Sequence, residues 1–186
     1  MRVIAGTARS MPLKTIKSME TRPTTDRIKE TIFNILMPDL PGSRFLDLFA
    51  GAGAIGIEAL SRGASKVVFV EKSKEACEII DHNLNFTRLS DKGEVKRRDV
   101  FDALMEMNGS GAFDIIFIDP PYGRRLGFDV LQVIKKTDLA DEDTLIVLEE
   151  DLSDEIREGD VISGFEVKRI KQYRANRHIF FRKEVK

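Results

Sequence analysis

Two stretches of this chain, Val67-Val68-Phe69-Val70 and Ile115-Ile116-Phe117-Ile118, are apolar at every position. A strand with one wet face alternates apolar and polar residues. These two are therefore expected to be covered on both faces, as in a parallel sheet between layers of helices. The rest of the pattern agrees. Phe45-Leu46-Asp47-Leu48 reads as a strand followed by a glycine loop and a helix through Ile57 and Leu60. Ser73 opens a helix carrying Ala76, Ile79, Ile80 and Leu84. A weaker strand at 94–98, helices at 101–107 and 128–134, and strands at 144–148, 165–170 and 178–181 complete the order. Upstream, Thr24-Thr25-Asp26 starts a helix with Ile28, Ile32, Ile35 and Leu36 on one face, and Pro38 and Pro41-Gly42 end it. Val3 to Gly6 and Leu13 to Ile16 read as a small hairpin before it. Alternating strands and helices predict an α/β, doubly wound, mostly parallel sheet, closed by two strands in succession that suggest an antiparallel end. Ligands of such sheets sit at the carboxyl ends of the strands.

Composition narrows the class. With 186 residues, 42% hydrophobic and 33% charged, the chain has enough apolar material for one core. No apolar run reaches about 18–20 residues, and the N-terminus lacks the apolar stretch of a signal peptide. One cysteine, Cys77, and two distant histidines, His82 and His178, argue against a disulfide framework and a metal centre. The expectation is a soluble cytoplasmic protein. Its net charge of −1 hides a segregation. Residues 1–31 hold seven Lys/Arg against three Asp/Glu, residues 168–186 eight against one, and the middle fifteen against twenty-seven. Basic ends framing an acidic centre suit a polyanionic partner, although a charge run is as often a solvated face.

Gly51, Gly53 and Gly56 spell G-x-G-x-x-G between a strand and a helix. That context also fits a dinucleotide site, so an oxidoreductase competes at this point. Asp47, a few residues before the loop, would repel phosphates but suits a cofactor with an ammonium end. Glu71 ends the next strand, where an acid accepts hydrogen bonds from ribose hydroxyls. Asp99 ends the third and can accept from an adenine amino group, or simply cap the following helix. Finally, Asp119-Pro120-Pro121-Tyr122 closes the apolar strand at 115–118. Two prolines remove N–H donors and leave acceptors beside an aromatic ring. Acceptors without donors suit a planar amino group.

DLFAGAG, Glu71 and DPPY, in this order, resemble the class I S-adenosylmethionine-dependent methyltransferases that modify exocyclic amines. RVIAG at 2–6 and RPTTDRIKETIFNIL at 22–36 narrow the resemblance to the RsmD family, bacterial guanine-N2 methyltransferases of small-subunit (16S) ribosomal RNA. The resemblance implies a seven-stranded Rossmann-like sheet with an antiparallel last strand, a basic arm over residues 1–22 and a methyltransferase domain over 23–186. It implies S-adenosyl-L-methionine held by Asp47, Phe49, Gly51, Gly53, Glu71, Lys72, Asp99, Val100 and Asp119, and catalysis by Asp119, Pro120, Pro121 and Tyr122. Arg2, Arg9, Lys14, Arg22, Thr24, Arg27, Arg174 and Arg177 are the expected RNA contacts. The expected partner is ribosomal RNA, naked or in an assembled or partly assembled subunit, bound by a monomer without metal or membrane. Adenine-N6 methylation of RNA or DNA, and a non-catalytic RNA-binding ribosome assembly factor, are the alternatives. The chain departs from the family twice. Ser10-Met11 stands where a glycine usually follows the arginine of the N-terminal loop. Tyr173-Arg174-Ala175-Asn176 stands where the C-terminal strand usually carries Tyr-Gly.

Overall fold

The computed structural model describes residues 1–16, 26–121, 125–152 and 155–184. In chain order the elements are α1 (Asp26–Leu36), β1 (Arg44–Leu48), α2 (Ala54–Ser61), β2 (Lys66–Glu71), α3 (Lys74–Thr87), β3 (Gly93–Arg97) and α4 (Val100–Met107). Then follow β4 (Ile115–Ile118), α5 (Leu126–Ile134), β5 (Leu145–Glu150), β6 (Val161–Ile162), β7 (Phe165–Gln172) and β8 (Arg177–Lys183). One sheet runs β3-β2-β1-β4-β5-β8-β7-β6. The first five strands pair in parallel, and β8 is antiparallel to both β5 and β7. The sheet has eight strands rather than seven. The extra one, β6, is two residues on the edge beside β7, too short to carry a periodicity.

Each face of the sheet carries its own apolar layer. Ile32, Phe33 and Leu36 of α1, with α2 and the buried side of α3, cover Phe45, Phe69 and Phe117. Helices α4 and α5 cover Leu46, Leu48, Ile116 and Ile118. Alternate residues of β2 and β4 enter opposite layers, which is why 67–70 and 115–118 read as continuously apolar. Among the described residues no helix is long and apolar enough to cross a membrane.

Residues 1–16 are packed into the first layer. A single antiparallel bridge joins Arg2 to Pro12, and the Val3 amide donates to the Met11 carbonyl at 3.0 Å. Val3, Ala8 and Leu13 are buried. At Gly6 a Cβ would stand 1.8 Å from the Ser61 carbonyl oxygen, so only glycine permits this approach to α2. Ser10 takes the left-handed conformation with φ 66°.

The anchor beneath is Glu58 of α2, fully buried. Its carboxylate accepts from the Ile4 and Ala5 amides at 2.8 and 3.0 Å, from Arg62 Nε at 2.7 Å and from Lys29 Nζ at 3.0 Å. Lys29, 1% exposed, also donates to the Arg2 carbonyl at 2.6 Å. Removing one partner of a buried ion pair strands the other, at a cost of about 3–5 kcal/mol. Glu58→Gln should therefore lower the unfolding free energy by about that much in urea titrations. Glu58→Leu combined with Lys29→Met should recover only part of it, because Arg62 and the Ile4 and Ala5 amides still lose their acceptor.

Candidate active site

The strand order reverses between β1 and β4, and the loops after these strands part to opposite faces. A crevice at their carboxyl ends follows. The glycine loop leaves β1 through Phe49, a bulky residue held at φ 60°. Such a conformation costs about 1–3 kcal/mol and persists only where the surroundings enforce it. Here the Ala50 amide is tied to the Val70 carbonyl at 3.1 Å and the Gly53 amide to the Ala50 carbonyl at 2.7 Å.

The three glycines have different reasons. A Cβ on Gly56 would lie 2.2 Å from the Phe69 ring, so this glycine lets α2 lie close on β2. At Gly53, with φ 77°, a Cβ would lie 3.1 Å from Ile80. The missing side chain of Gly53 thus points into the protein, not toward a ligand as a phosphate-loop reading assumes. A Cβ on Gly51 would meet nothing within 4 Å, so the open cradle is here.

Glu71, at the end of β2, accepts the Gly51 amide at 3.0 Å and the Ser73 amide at 2.8 Å. It remains partly exposed, with lone pairs left for hydroxyls. Lys72 is exposed beside it. Asp99 is exposed and caps α4 through the Phe101 amide at 3.0 Å, and Val100 is buried beneath it. Asp47 corrects the sequence reading. It is 2% exposed, and its carboxylate turns back to accept the Gly56 amide at 2.9 Å. It holds the loop and does not reach the edge to meet an ammonium group. Burial pushes its pKa up to about 7, against the pull of the Gly56 N–H and with a push from Glu71.

Asp119 follows β4 directly, its amide donating to the Leu48 carbonyl at 3.4 Å. It is partly exposed, Pro120 is buried and Pro121 exposed. Burial, and then the nearby Glu149 and Asp47, raise the Asp119 pKa well above the usual carboxylate range. Tyr122 lies outside the described residues, as do Arg22 and Thr24.

The expected RNA contacts separate. Asn83, fully buried on α3, donates to the carbonyls of both Lys14 and Ala52 at 3.0 Å and so holds exposed Lys14 beside the glycine loop. Arg174, exposed, stands in the β7–β8 turn at the same edge. Arg27 is exposed on the first turn of α1, and Arg2 pairs with Asp26 at 2.9 Å. Arg9 follows the stretch that packs on Ser61, at the far end of α2 from the loop, so it does not share the edge. Arg177 is a correction. It is the first residue of β8 and 6% exposed, its side chain directed to the layer of Ile179 and Phe181, so it cannot grip a phosphate from solvent. Sequence reasoning missed Glu149 as a member of the site and left His178 unassigned. The adjacent carboxylates Glu149-Glu150 ending β5 were the available signal.

The family model described as conserved hypothetical protein 95 matches residues 1–182. A Haemophilus influenzae protein named ribosomal RNA small subunit methyltransferase D is 37% identical over 150 residues, covering 80% of this chain and 78% of its own. The YlbH protein of Bacillus subtilis is 40% identical over 165 residues, covering 87% of this chain and 90% of its own. The solved structure of YhhF from Escherichia coli superposes with a TM-score of 0.87 at 28% identity, covering 100% of this chain and 99% of that one.

This chain belongs to the RsmD family. The class I methyltransferase fold of that family accounts for the sheet order and for the site at the β1–β4 reversal. In this RsmD family member, Asp47 has an acid–base signature of its own. Its folded pKa of about 7 lies above the unfolded value, so the folded state holds this proton longer. Stability is fully present below about pH 4 and is lost as pH rises toward 7, by on the order of 4 kcal/mol from this group. Asp47→Asn keeps an acceptor for Gly56 and cannot ionise. Thermal melts from pH 4 to 8 should show the variant gaining on the native chain as pH rises.

Proposed function

We propose that this chain transfers a methyl group from S-adenosylmethionine to the exocyclic N2 of a guanine in small-subunit ribosomal RNA. The observation that carries the reading is Asp119, followed by two prolines, standing at the strand-order reversal next to the open cradle at Gly51. The names of the relatives support ribosomal RNA as the substrate class.

The residues at the edge fit the cofactor. Gly51 leaves open space, Glu71 offers acceptors for ribose hydroxyls, and Asp99 keeps an exposed carboxylate for an adenine amino group. Phe49, Lys72, Val100 and the Gly53 turn complete the wall. Carboxylates at Glu71, Asp99, Asp119 and Glu149 make the edge a poor host for a pyrophosphate. When bound, the cofactor supplies an electrophilic methyl group on a sulfonium.

The work of the chain is at the amine. Its lone pair is delocalised into the base and must be localised and aimed. Asp119 and the Pro120 carbonyl accept its two N–H groups, and Pro121 keeps that turn rigid. The nitrogen becomes positive as it is methylated, and a fixed acceptor stabilises that charge. Tyr122 holds the face of a base that is flipped out or already unpaired. Arg2, Lys14, Arg22, Arg27 and Arg174 contact phosphates, and Thr24 guides the target base.

The test is methyl transfer from labelled S-adenosylmethionine to naked small-subunit RNA and to assembled subunits, followed by nucleoside analysis. N2-methylguanosine is the expected product; N6-methyladenosine would replace this reading with its nearest alternative, and no incorporation on either substrate would end it. Asp119→Ala should lower kcat by about 10²-fold or more, the scale of losing one preorganised polar group. Calorimetric affinity for S-adenosylhomocysteine should change far less.

A further inference from the structure

Behind Asp119 stands a set of buried polar groups that the methyl-transfer reading leaves without a task. Ile118 pairs with Leu148, so the next residues, Asp119 and Glu149, stand side by side on adjacent strands, and Glu149 pairs directly with His178. Opposed residues share a sheet face, so the three form one row across β4, β5 and β8. The face is that of Phe117, whose ring lies 6.0 Å from His178. Glu149 is 5% exposed and His178 fully buried. The Glu149 carboxylate accepts from Asn176 Nδ2 at 2.5 Å and lies 3.0 Å from His178 Nε2. Nδ1 of the same ring is buried with no hydrogen-bond partner among the described residues. The Nε2 contact with Glu149 fixes the ring and the carboxylate relative to one another.

A buried carboxylate beside another is costly. A purely structural hydrogen bond to Asn176 and His178 could be made by an amide. We propose that Glu149 is a positioning residue that acts through Asp119, keeping it ready to take the proton shed by the methylated amine, and that His178 and Asn176 hold the Glu149 carboxylate in place for that role. The inference rests on the methyl-transfer reading. As the amine nitrogen forms its bond to the methyl carbon, the carbon–sulfur bond breaks and its electron pair stays on sulfur. The nitrogen, now cationic, loses one proton to a carboxylate oxygen of Asp119, and the N–H pair returns to nitrogen. Asp119 then releases the proton to solvent.

The charges around Asp119 are consistent with this. Asp47 faces it from β1 and Glu149 from β5, both pushing its pKa up. Glu71 of β2 acts on Asp47. His178 of β8 and the Tyr173 ring, edge-on to it at 5.3 Å, close the far side, with Arg169 of β7 near Tyr173.

Two readouts test the proposal. One is the titration of the Asp119 carboxyl carbon by NMR in the unliganded protein. The other is the acid limb of kcat against pH. In Glu149→Gln both should move down by about one pH unit, because a like charge is gone. At a pH just below the native limb, that variant should keep up to about ten-fold more of its own plateau rate than the native enzyme keeps. Glu149→Asp, which keeps the charge, should leave both near their native positions, as should His178→Gln, which retains an N–H for Glu149. An Asp119 titration that does not move in folded Glu149→Gln overturns the proposal. So does a kcat lowered equally at every pH. If melting shows Glu149→Gln to be unfolded, Glu149→Met, which also removes the charge, decides by the same shift. Absence of methyl transfer in the native protein would refute the reading of function, whereas the NMR titrations test the coupling independently.

Discussion

A carboxylate with no access to water organises one side of this molecule. Glu58 is buried because α2 is buried along most of its length, and a charge there must be neutralised and hydrogen-bonded in place. Its four donors come from the N-terminal segment, from α1 and from Arg62, which caps α2. These parts therefore cannot be arranged independently. Because α2 begins at the glycine loop, the same hub sets where the loop stands relative to the strand ends.

At the opposite end of α2 the loop is stabilised by a related device. Asp47 and Glu71 each spend a carboxylate oxygen on a backbone N–H of the loop, Gly56 and Gly51 respectively. Carboxylates fixed by main-chain donors keep their geometry without needing a cation, so the crevice stays rich in acceptors. The row through Asp119 and Glu149 extends this acidic lining across the reversal. Beyond it, His178 Nε2 and Asn176 Nδ2 hold the Glu149 carboxylate. The site is thus graded, from acceptors fixed by backbone on β1 and β2 to one fixed by side chains on β5.

Much of this was legible in the sequence. The apolar runs of β2 and β4, the capped helices α3 and α4, the glycine loop and the acids at strand ends are local signals, and the structure places them at one edge. What was not legible depends on contacts between distant segments. Residues 1–16 look like a basic arm in sequence because their apolar stretches are short; the burial of Val3, Ala8 and Leu13 follows from contacts with Glu58 and Ser61 of α2. Arg177 looks like a surface base until the pairing of β8 turns it inward. Glu149 and His178 meet only through an antiparallel register that no local pattern announces. Ser10 is a different case. Nothing in Arg9-Ser10-Met11 announces a left-handed residue, yet Ser10 adopts that backbone.

The insertion of β8 between β5 and β7 also has a bearing on the order in which the molecule comes together. The row needs β4, β5 and β8, and β8 follows the other strands in the chain. During synthesis the N-terminal part of a chain emerges first. Strands β1 to β5 can therefore pair, and the glycine loop can take shape, while His178 is still absent from its position. A partly folded molecule would possess a crevice for a small ligand before it possessed a complete catalytic row, so binding competence and chemical competence would arise at different times in the life of the chain.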